Sequence, residues 1–163
     1  YRGTNAQEPA AALLRERLHL EPVRLLVIDD DDYIPGMLEK VHFGLPFVLK
    51  RIDDRQDAAK EALRFSPDMV LLDASIGEGA GSSRVEKSLH ILDLVRRTLP
   101  EVPVILFSEN PQDRHNLDQE IGRIVAAGGA RGFVPLVRGE ELQESDFAAR
   151  VMHHLWRCDL SRT

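Results

Sequence analysis

Cysteine is almost absent from this chain, which limits its chemistry. Cys158 is the single cysteine among 163 residues. An internal disulfide is therefore excluded, and a reducing, cytoplasmic compartment is expected. The sequence also lacks any apolar run close to the roughly 20 residues that a membrane-spanning helix needs. A membrane is therefore not among the expected partners.

Basic residues are outnumbered as well. The chain has 21 Lys and Arg against 27 Asp and Glu, a formal net charge of -6, and its basic residues form no stripe along the sequence. Nucleic acid is therefore not expected as a direct partner. The length of 163 residues suits one globular domain with some extra length. Because the chain begins at Tyr1, we expect a piece of a longer protein with an output region beyond it.

Three apolar runs each lead directly into oxygen-bearing side chains. The runs are 25–28, 69–72 and 104–107, followed by Asp29 to Asp32, by Asp73 and by Ser108 respectively. The runs are continuously apolar rather than alternating, which is typical of strands that are covered on both faces of a parallel sheet. Helical periodicity between the runs predicts βαβ units and a doubly wound α/β fold.

The predicted elements alternate regularly along the chain. Strands are predicted at 23–28, 47–52, 69–72, 104–107 and 133–137, and helices at 33–41, 57–65, 84–99, 117–127 and 141–156, with a separate helix at 9–20. The helix at 57–65 is expected to bury Ala58, Ala59, Ala62 and Leu63. We divide the chain into an N-terminal extension (1–20), one domain (21–159) and a short tail (160–163).

If the three apolar runs are neighbouring parallel strands, their oxygen atoms meet at one edge of the sheet. That edge is where open α/β sheets hold their ligands. Carboxylates that lie close together repel one another, so a bound cation or shared protons would stabilise them. Mg²⁺, which prefers oxygen ligands, is the expected cation.

Plainer interpretations apply to several of these residues. Asp31 and Asp32 are expected to cap the following helix rather than to bind a metal. Ser108 could belong to an ordinary loop, and Phe133 could be a core residue. The spacing between the acidic run and Asp73 is what favours a site.

These residues resemble the receiver domain of two-component response regulators over about 23–156. An acidic pair, a phosphoacceptor aspartate and a hydroxyl residue match Asp29 with Asp30, Asp73 and Ser108. The stretch 129–134, Gly-Ala-Arg-Gly-Phe-Val, is similar to the family's approach to its fifth strand, with Phe133 as the switch aromatic residue. The resemblance implies a flavodoxin-like fold with five parallel strands in the order 2-1-3-4-5 and helices on both faces.

The resemblance also implies a function. Asp73 would accept a phosphoryl group from a histidine kinase or phosphotransfer protein, and Mg²⁺ would be held by Asp29, Asp30, Asp73 and the carbonyl group of Ser75. The protein would be a signalling switch acting on an output domain or partner protein, not an enzyme beyond its own phosphorylation and dephosphorylation. Receivers also pair through the face that contains the last strand, so a homodimer is compatible with the resemblance.

Two positions depart from the family pattern. Leu136 stands where receivers have a lysine, and Glu109 stands where a small residue follows the hydroxyl. We therefore expect weaker coupling between phosphorylation and shape. Two alternatives remain: a pseudo-receiver that binds partners without phosphorylation, and a phosphohydrolase that uses the spacing of Asp29 and Asp31.

Overall fold

The computed structural model of the chain describes residues 22–40, 47–76, 81–108, 122, 129–135 and 141–161. Its strands are β1 (Val23–Ile28), β2 (Phe47–Ile52), β3 (Met69–Asp73), β4 (Val104–Ser108) and β5 (Gly132–Pro135). Its helices are α1 (Tyr33–Lys40), α2 (Ala58–Phe65), α3 (Gly81–Thr98) and α4 (Glu141–Ser161). The predicted helices at 9–20 and, apart from residue 122, at 117–127 lie outside the described residues. The division at residues 20 and 159 stays a prediction.

The five strands form one sheet in the order β2-β1-β3-β4-β5. Every pair of neighbouring strands is parallel, and the register sets Ile28 beside Leu72 and Leu72 beside Leu106. The predicted doubly wound, five-stranded fold is therefore confirmed. Two strands run one residue further than predicted, so Asp73 and Ser108 are themselves the last residues of β3 and β4.

The sheet separates two apolar cores, because successive strand residues point to opposite faces. Val27, Leu71 and Phe107 pack on the face that α1 and α4 cover, and the ring of Phe107 meets Phe147 of α4 edge-on with centroids 6.0 Å apart. The intervening residues, such as Leu72, pack on the opposite face with α2 and α3. Continuous apolar runs are the sequence consequence of this double coverage. No helix in the described ranges is both long and apolar enough to cross a membrane.

Helix α2 corrects one prediction about burial. Ala58, Ala62 and Phe65 are buried, whereas Leu63 is 57% exposed. The buried residues follow the spacing i, i+4, i+7 of a single helix face, and Leu63 is turned about 100° away from Ala62. The expectation that Leu63 is buried was therefore wrong, and Ala59 is only half-buried. Asp57 begins the helix by accepting the backbone N–H of Lys60.

Arg24 ties the end of α2 to the amino end of β1. Its Nε donates to the carbonyl oxygen of Phe65 at 2.8 Å, and its guanidinium lies 4.3 Å from the centroid of the Phe65 ring. A cation at a helix C-terminus is favourable because the last carbonyl groups carry partial negative charge. This contact lies at the edge of the sheet opposite to Asp29 and Asp73.

Gly132 begins β5 where His154 of α4 lies directly on the backbone. A Cβ atom at residue 132 would stand 2.5 Å from Cε1 and 2.9 Å from Nε2 of His154. Because these atoms are the tip of a half-buried side chain that has to move aside, Gly132→Ala is expected to lower the free energy of unfolding by about 1 kcal/mol. Urea unfolding of Gly132→Ala, His154→Ala and the double variant checks this. A penalty for Gly132→Ala that stays the same without the imidazole would contradict the assignment to this contact.

Candidate functional site

Three carboxylates meet at the carboxyl edge of the sheet. Asp29 directly follows β1, Asp73 ends β3, and the pairing of Ile28 with Leu72 brings the two strand ends together. One carboxylate oxygen from each of Asp29, Asp30 and Asp73 can be chosen so that all lie within 4.8 Å of one another. Asp29 is 3% exposed, Asp73 is half-buried and Asp30 is exposed. The cluster therefore runs from the protein interior to solvent.

Hydrogen bonds to its main chain hold Asp29, the buried member of this cluster. The N–H of Asp29 donates to the carbonyl oxygen of Ile52 at 3.0 Å, and Nη1 of Arg51 donates to the Asp29 carbonyl oxygen at 3.0 Å. The neighbouring carboxylate of Asp31 accepts the backbone N–H of Tyr33 at 2.9 Å. Asp31 thus bonds to the first residue of α1, and the expectation that Asp31 and Asp32 cap this helix stays a prediction. Arg51 brings a cation close to the acidic edge, and the sequence analysis did not identify it.

The turn after β3 folds back on Asp73. Oδ1 of Asp73 accepts the N–H of Ser75 at 2.9 Å, and the N–H of Ala74 donates to the carbonyl oxygen of Phe107 at 2.8 Å. Ser75, the predicted source of a carbonyl ligand, therefore lies in a turn that starts at the phosphoacceptor candidate. The turn is therefore hydrogen-bonded both to the carboxylate of Asp73 and to β4.

The hydroxyl of Ser108 lies at the end of the next strand. Register pairs Asp73 with Phe107, so Ser108 is one residue beyond the partner of Asp73. Ser108 is 7% exposed, and its Oγ has no hydrogen-bond partner among the described residues. A buried hydroxyl without a partner carries a desolvation cost of about 1–3 kcal/mol. Such a group is available to donate to an oxygen of a ligand.

The other predicted site residues have different outcomes. Phe133 lies on β5 beside Leu106 of β4 and packs, partly buried, against the core under α2 and α3. Leu136 and Glu109 lie outside the described residues. Their departure from the receiver pattern therefore stays an observation on the sequence.

A fourth carboxylate at this edge has its own cation. Asp53 follows β2, where its carboxylate accepts from the backbone N–H and from Nη2 of Arg55, both at 2.9 Å. The side-chain hydrogen bond from Arg55 is the main cause that holds the pKa of Asp53 below its ordinary value of 3.8. Asp53 is thus stabilised as an anion within its own turn.

This pairing predicts an acid-dependent loss of stability. The folded-state pKa of Asp53 is lowered, so its ionised carboxylate adds to the free energy of unfolding at pH values above the unfolded-state pKa. This stabilisation is lost as the pH falls through the folded-state pKa. Urea unfolding at pH 7 and at pH 3 should therefore show that the free energy of unfolding falls less on acidification for Asp53→Asn than for the wild type. Asp93→Asn, which breaks a more exposed pair with Arg97, is the control and should change the loss less. Equal acid losses in the wild type and Asp53→Asn would contradict the prediction.

Sequence reasoning also missed Ser88 on α3. Ser88 is 1% exposed and bonds to the turn after Asp73. The signal that could have found it is a serine in the stripe formed by Val85, Leu92 and Val95. A polar residue at a buried helix position needs a partner.

The donor set at this edge suits a hard cation. The three clustered side chains are all carboxylates. Mg²⁺ takes oxygen ligands, usually one or two carboxylates, and keeps several waters. The exposed side at Asp30 leaves room for solvent. The chemistry of the three carboxylates therefore fits Mg²⁺, and the carbonyl group of Ser75 as a further ligand stays a prediction.

Comparisons with known proteins place the fold. No protein-family model and no curated protein matches the sequence. Among solved structures, the chain is similar to the signal receiver domain of a putative Luxo repressor protein from Vibrio parahaemolyticus, at 17% identity and a TM-score of 0.60 over 87% of this chain and 96% of that one. It is also similar to the response regulator domain of Thermotoga maritima CheB, at 20% identity and a TM-score of 0.57 over 85% and 97%.

A third similar structure is the CheY-like response regulator receiver domain protein from Methanospirillum hungatei JF-1, at 15% identity and a TM-score of 0.57 over 86% of this chain and 99% of that one. The resemblance to receivers seen in the sequence is therefore confirmed at the level of the fold. The chain folds as response regulator receiver domains do.

Proposed function

We propose that this chain is a phosphoacceptor receiver domain of a two-component response regulator. The observation that carries the proposal is the meeting of Asp29, Asp30 and Asp73 within 4.8 Å at the carboxyl edge of a 2-1-3-4-5 sheet. The receiver fold alone supports a signalling domain rather than an enzyme. The acidic cluster adds the chemistry that phosphoryl transfer requires.

In the proposed reaction, a carboxylate oxygen of Asp73 attacks the phosphorus of a phosphohistidine on a histidine kinase or phosphotransfer protein. An oxygen–phosphorus bond forms on Asp73 as the nitrogen–phosphorus bond of the donor breaks, and its electron pair returns to the imidazole. Mg²⁺, when bound, supplies positive charge that offsets repulsion between carboxylate and phosphoryl oxygens. Asp29, Asp30, Asp73 and the carbonyl group of Ser75 are the residues proposed to hold it.

Ser108 and Phe133 would turn this charge into a change of shape. The buried hydroxyl of Ser108 can donate to a phosphoryl oxygen because no described group already takes that donor. Its register partner on β5 is Pro135, and Phe133 stands two residues earlier on the same strand. A shift of Ser108 would therefore be passed to the face that contains β5, where an output domain, a partner or a second copy would respond.

A pseudo-receiver is the second candidate, and Leu136 favours it. Receivers use a lysine at that position to pair with the phosphoryl group, and a leucine side chain cannot do this. In that case the fold would present a binding surface without a phosphoryl cycle. A cytoplasmic location, consistent with the single Cys158, belongs to both candidates.

Phosphorylation by a small donor tests the proposal. The purified chain is incubated with acetyl phosphate and Mg²⁺, and its intact mass is measured with and without excess EDTA. The expected result is the added mass of one phosphoryl group, only with Mg²⁺, that hydroxylamine removes because an acyl phosphate is labile. An unchanged mass at saturating donor and Mg²⁺ would contradict the proposal and favour the pseudo-receiver.

A further inference from the structure

In the part of the chain that the structure describes, Ser88 is the one buried polar residue that the proposed site does not use. Among the described residues, the buried polar or charged ones are Asp29, Ser88 and Ser108. Asp29 and Ser108 already belong to the acidic edge. Ser88 lies within α3, on a different element, and its side chain is 1% exposed.

The Ser88 hydroxyl joins the two ends of the turn after β3. It donates to the carbonyl oxygen of Asp73 at 2.7 Å and accepts the backbone N–H of Ile76 at 3.0 Å. The N–H groups between them are also engaged, Ala74 with β4 and Ser75 with the Asp73 carboxylate. All three N–H groups of 74–76 are therefore hydrogen-bonded, and one side chain closes the turn.

Ser88 does not show the back-bonding to its own helix that is common for a serine or threonine within a helix. Thr98 on the same helix shows the ordinary pattern, since its hydroxyl donates to the carbonyl oxygen of Leu94, four residues earlier. Ser88 instead reaches main-chain groups 15 and 12 residues away along the chain. Its hydrogen bonds therefore fix the turn rather than its own helix.

We infer that Ser88 is a positioning residue for the proposed Mg²⁺ site. The inference rests on the proposed function and adds a residue to it. Ser88 would hold the turn in which Asp73 offers its carboxylate and Ser75 its carbonyl oxygen. Outer residues that orient metal ligands commonly change metal affinity about 10–100-fold when they are removed.

The test compares Mg²⁺ affinity and local opening in matched variants of the chain. Ser88→Ala is expected to weaken Mg²⁺ binding, measured by calorimetric titration, about tenfold. The rate of hydrogen exchange at the Ile76 amide should rise about tenfold or more, while the exchange rates of amides in the middle of α3 change little. Ser88→Cys, which keeps a weak donor of similar size, should lie between Ser88→Ala and the wild type.

Two controls separate positioning from general destabilisation. Thr98→Ala removes a hydroxyl from the same helix away from the turn, and Arg24→Ala removes the contacts that hold α2 at the opposite edge. Both should leave Mg²⁺ affinity within twofold of the wild type, even where the melting temperature falls. If Ser88→Ala does not fold, the comparison is made with Ser88→Cys.

The outcomes distinguish this inference from the proposed function. Wild-type Mg²⁺ binding that is unchanged in the Ser88 variants overturns the positioning role and leaves the receiver proposal intact. The positioning role is also overturned if Ser88→Ala and Arg24→Ala both lose Mg²⁺ affinity in proportion to their loss of folding stability. A wild type that neither binds Mg²⁺ nor accepts a phosphoryl group overturns the proposed function first, and the inference with it.

Discussion

Asp73→Asn is expected to abolish phosphoryl transfer to the chain from acetyl phosphate. The amide has nearly the size of the carboxylate, and its oxygen can still accept the N–H of Ser75 that Asp73 accepts at 2.9 Å. It has lost the negative charge that makes the side chain a nucleophile. The fold should therefore survive while the added mass of one phosphoryl group disappears at every Mg²⁺ concentration.

Asp31→Asn is the matched control for this prediction. The substitution is the same, but the Asp31 side chain accepts the N–H of Tyr33, which asparagine also does. Phosphorylation of Asp31→Asn should therefore reach the wild-type extent. This control also tests the phosphohydrolase alternative, in which Asp29 and Asp31 would act together. Turnover of a phosphomonoester that Asp31→Asn abolishes and Asp73→Asn leaves intact would favour that alternative.

The fold was predictable because burial on both faces leaves a direct trace in the sequence. Each central strand reads as an unbroken apolar run, as at 69–72, since its two faces meet different helix layers. The change from such a run to Asp73 marks the strand end, and parallel strands bring their ends to one edge. The resemblance to receivers then supplied the strand order.

The parts that could not be predicted depend on contacts distant in sequence. Nothing local reveals that Ser88 bonds to residue 73, because that depends on how closely α3 packs against the end of β3. Arg51 could have pointed to solvent, but it reaches the Asp29 carbonyl oxygen across neighbouring strands. Leu63 was misassigned for a local reason: the apolar pairs at 58–59 and 62–63 allow two adjacent helix faces, and Phe65 decides between them.

Asp29→Asn is expected to raise stability without Mg²⁺ and to remove most of the stability that Mg²⁺ adds. Asp29 is 3% exposed and lies within 4.8 Å of two other carboxylates. At such distances each pair of like charges costs about 1–3 kcal/mol, depending on the effective dielectric constant. An amide at residue 29 removes part of this repulsion. The free energy of unfolding in EDTA should therefore rise by about 1 kcal/mol.

Mg²⁺ should remove most of this difference in stability between Asp29→Asn and the wild type. A ligand at ten times its dissociation constant stabilises the folded state by about 1.4 kcal/mol. The wild type should gain that amount, whereas Asp29→Asn has lost a charged ligand and should gain a few tenths at most. Urea unfolding in EDTA and at a Mg²⁺ concentration about tenfold above the wild-type dissociation constant measures both effects.

Asp53→Asn is the control for the Asp29 prediction, because it makes the same change at the same edge of the sheet with the opposite expected sign. The Asp53 carboxylate accepts two hydrogen bonds from Arg55, so neutralising it removes a favourable pair and should lower stability with or without Mg²⁺. The contrast separates a repulsive cluster built to hold a cation from acidic residues that merely solvate a loop. If Asp29→Asn lowers stability in EDTA as Asp53→Asn does, and both gain equally from Mg²⁺, then the carboxylates at 29, 30 and 73 are not a metal site.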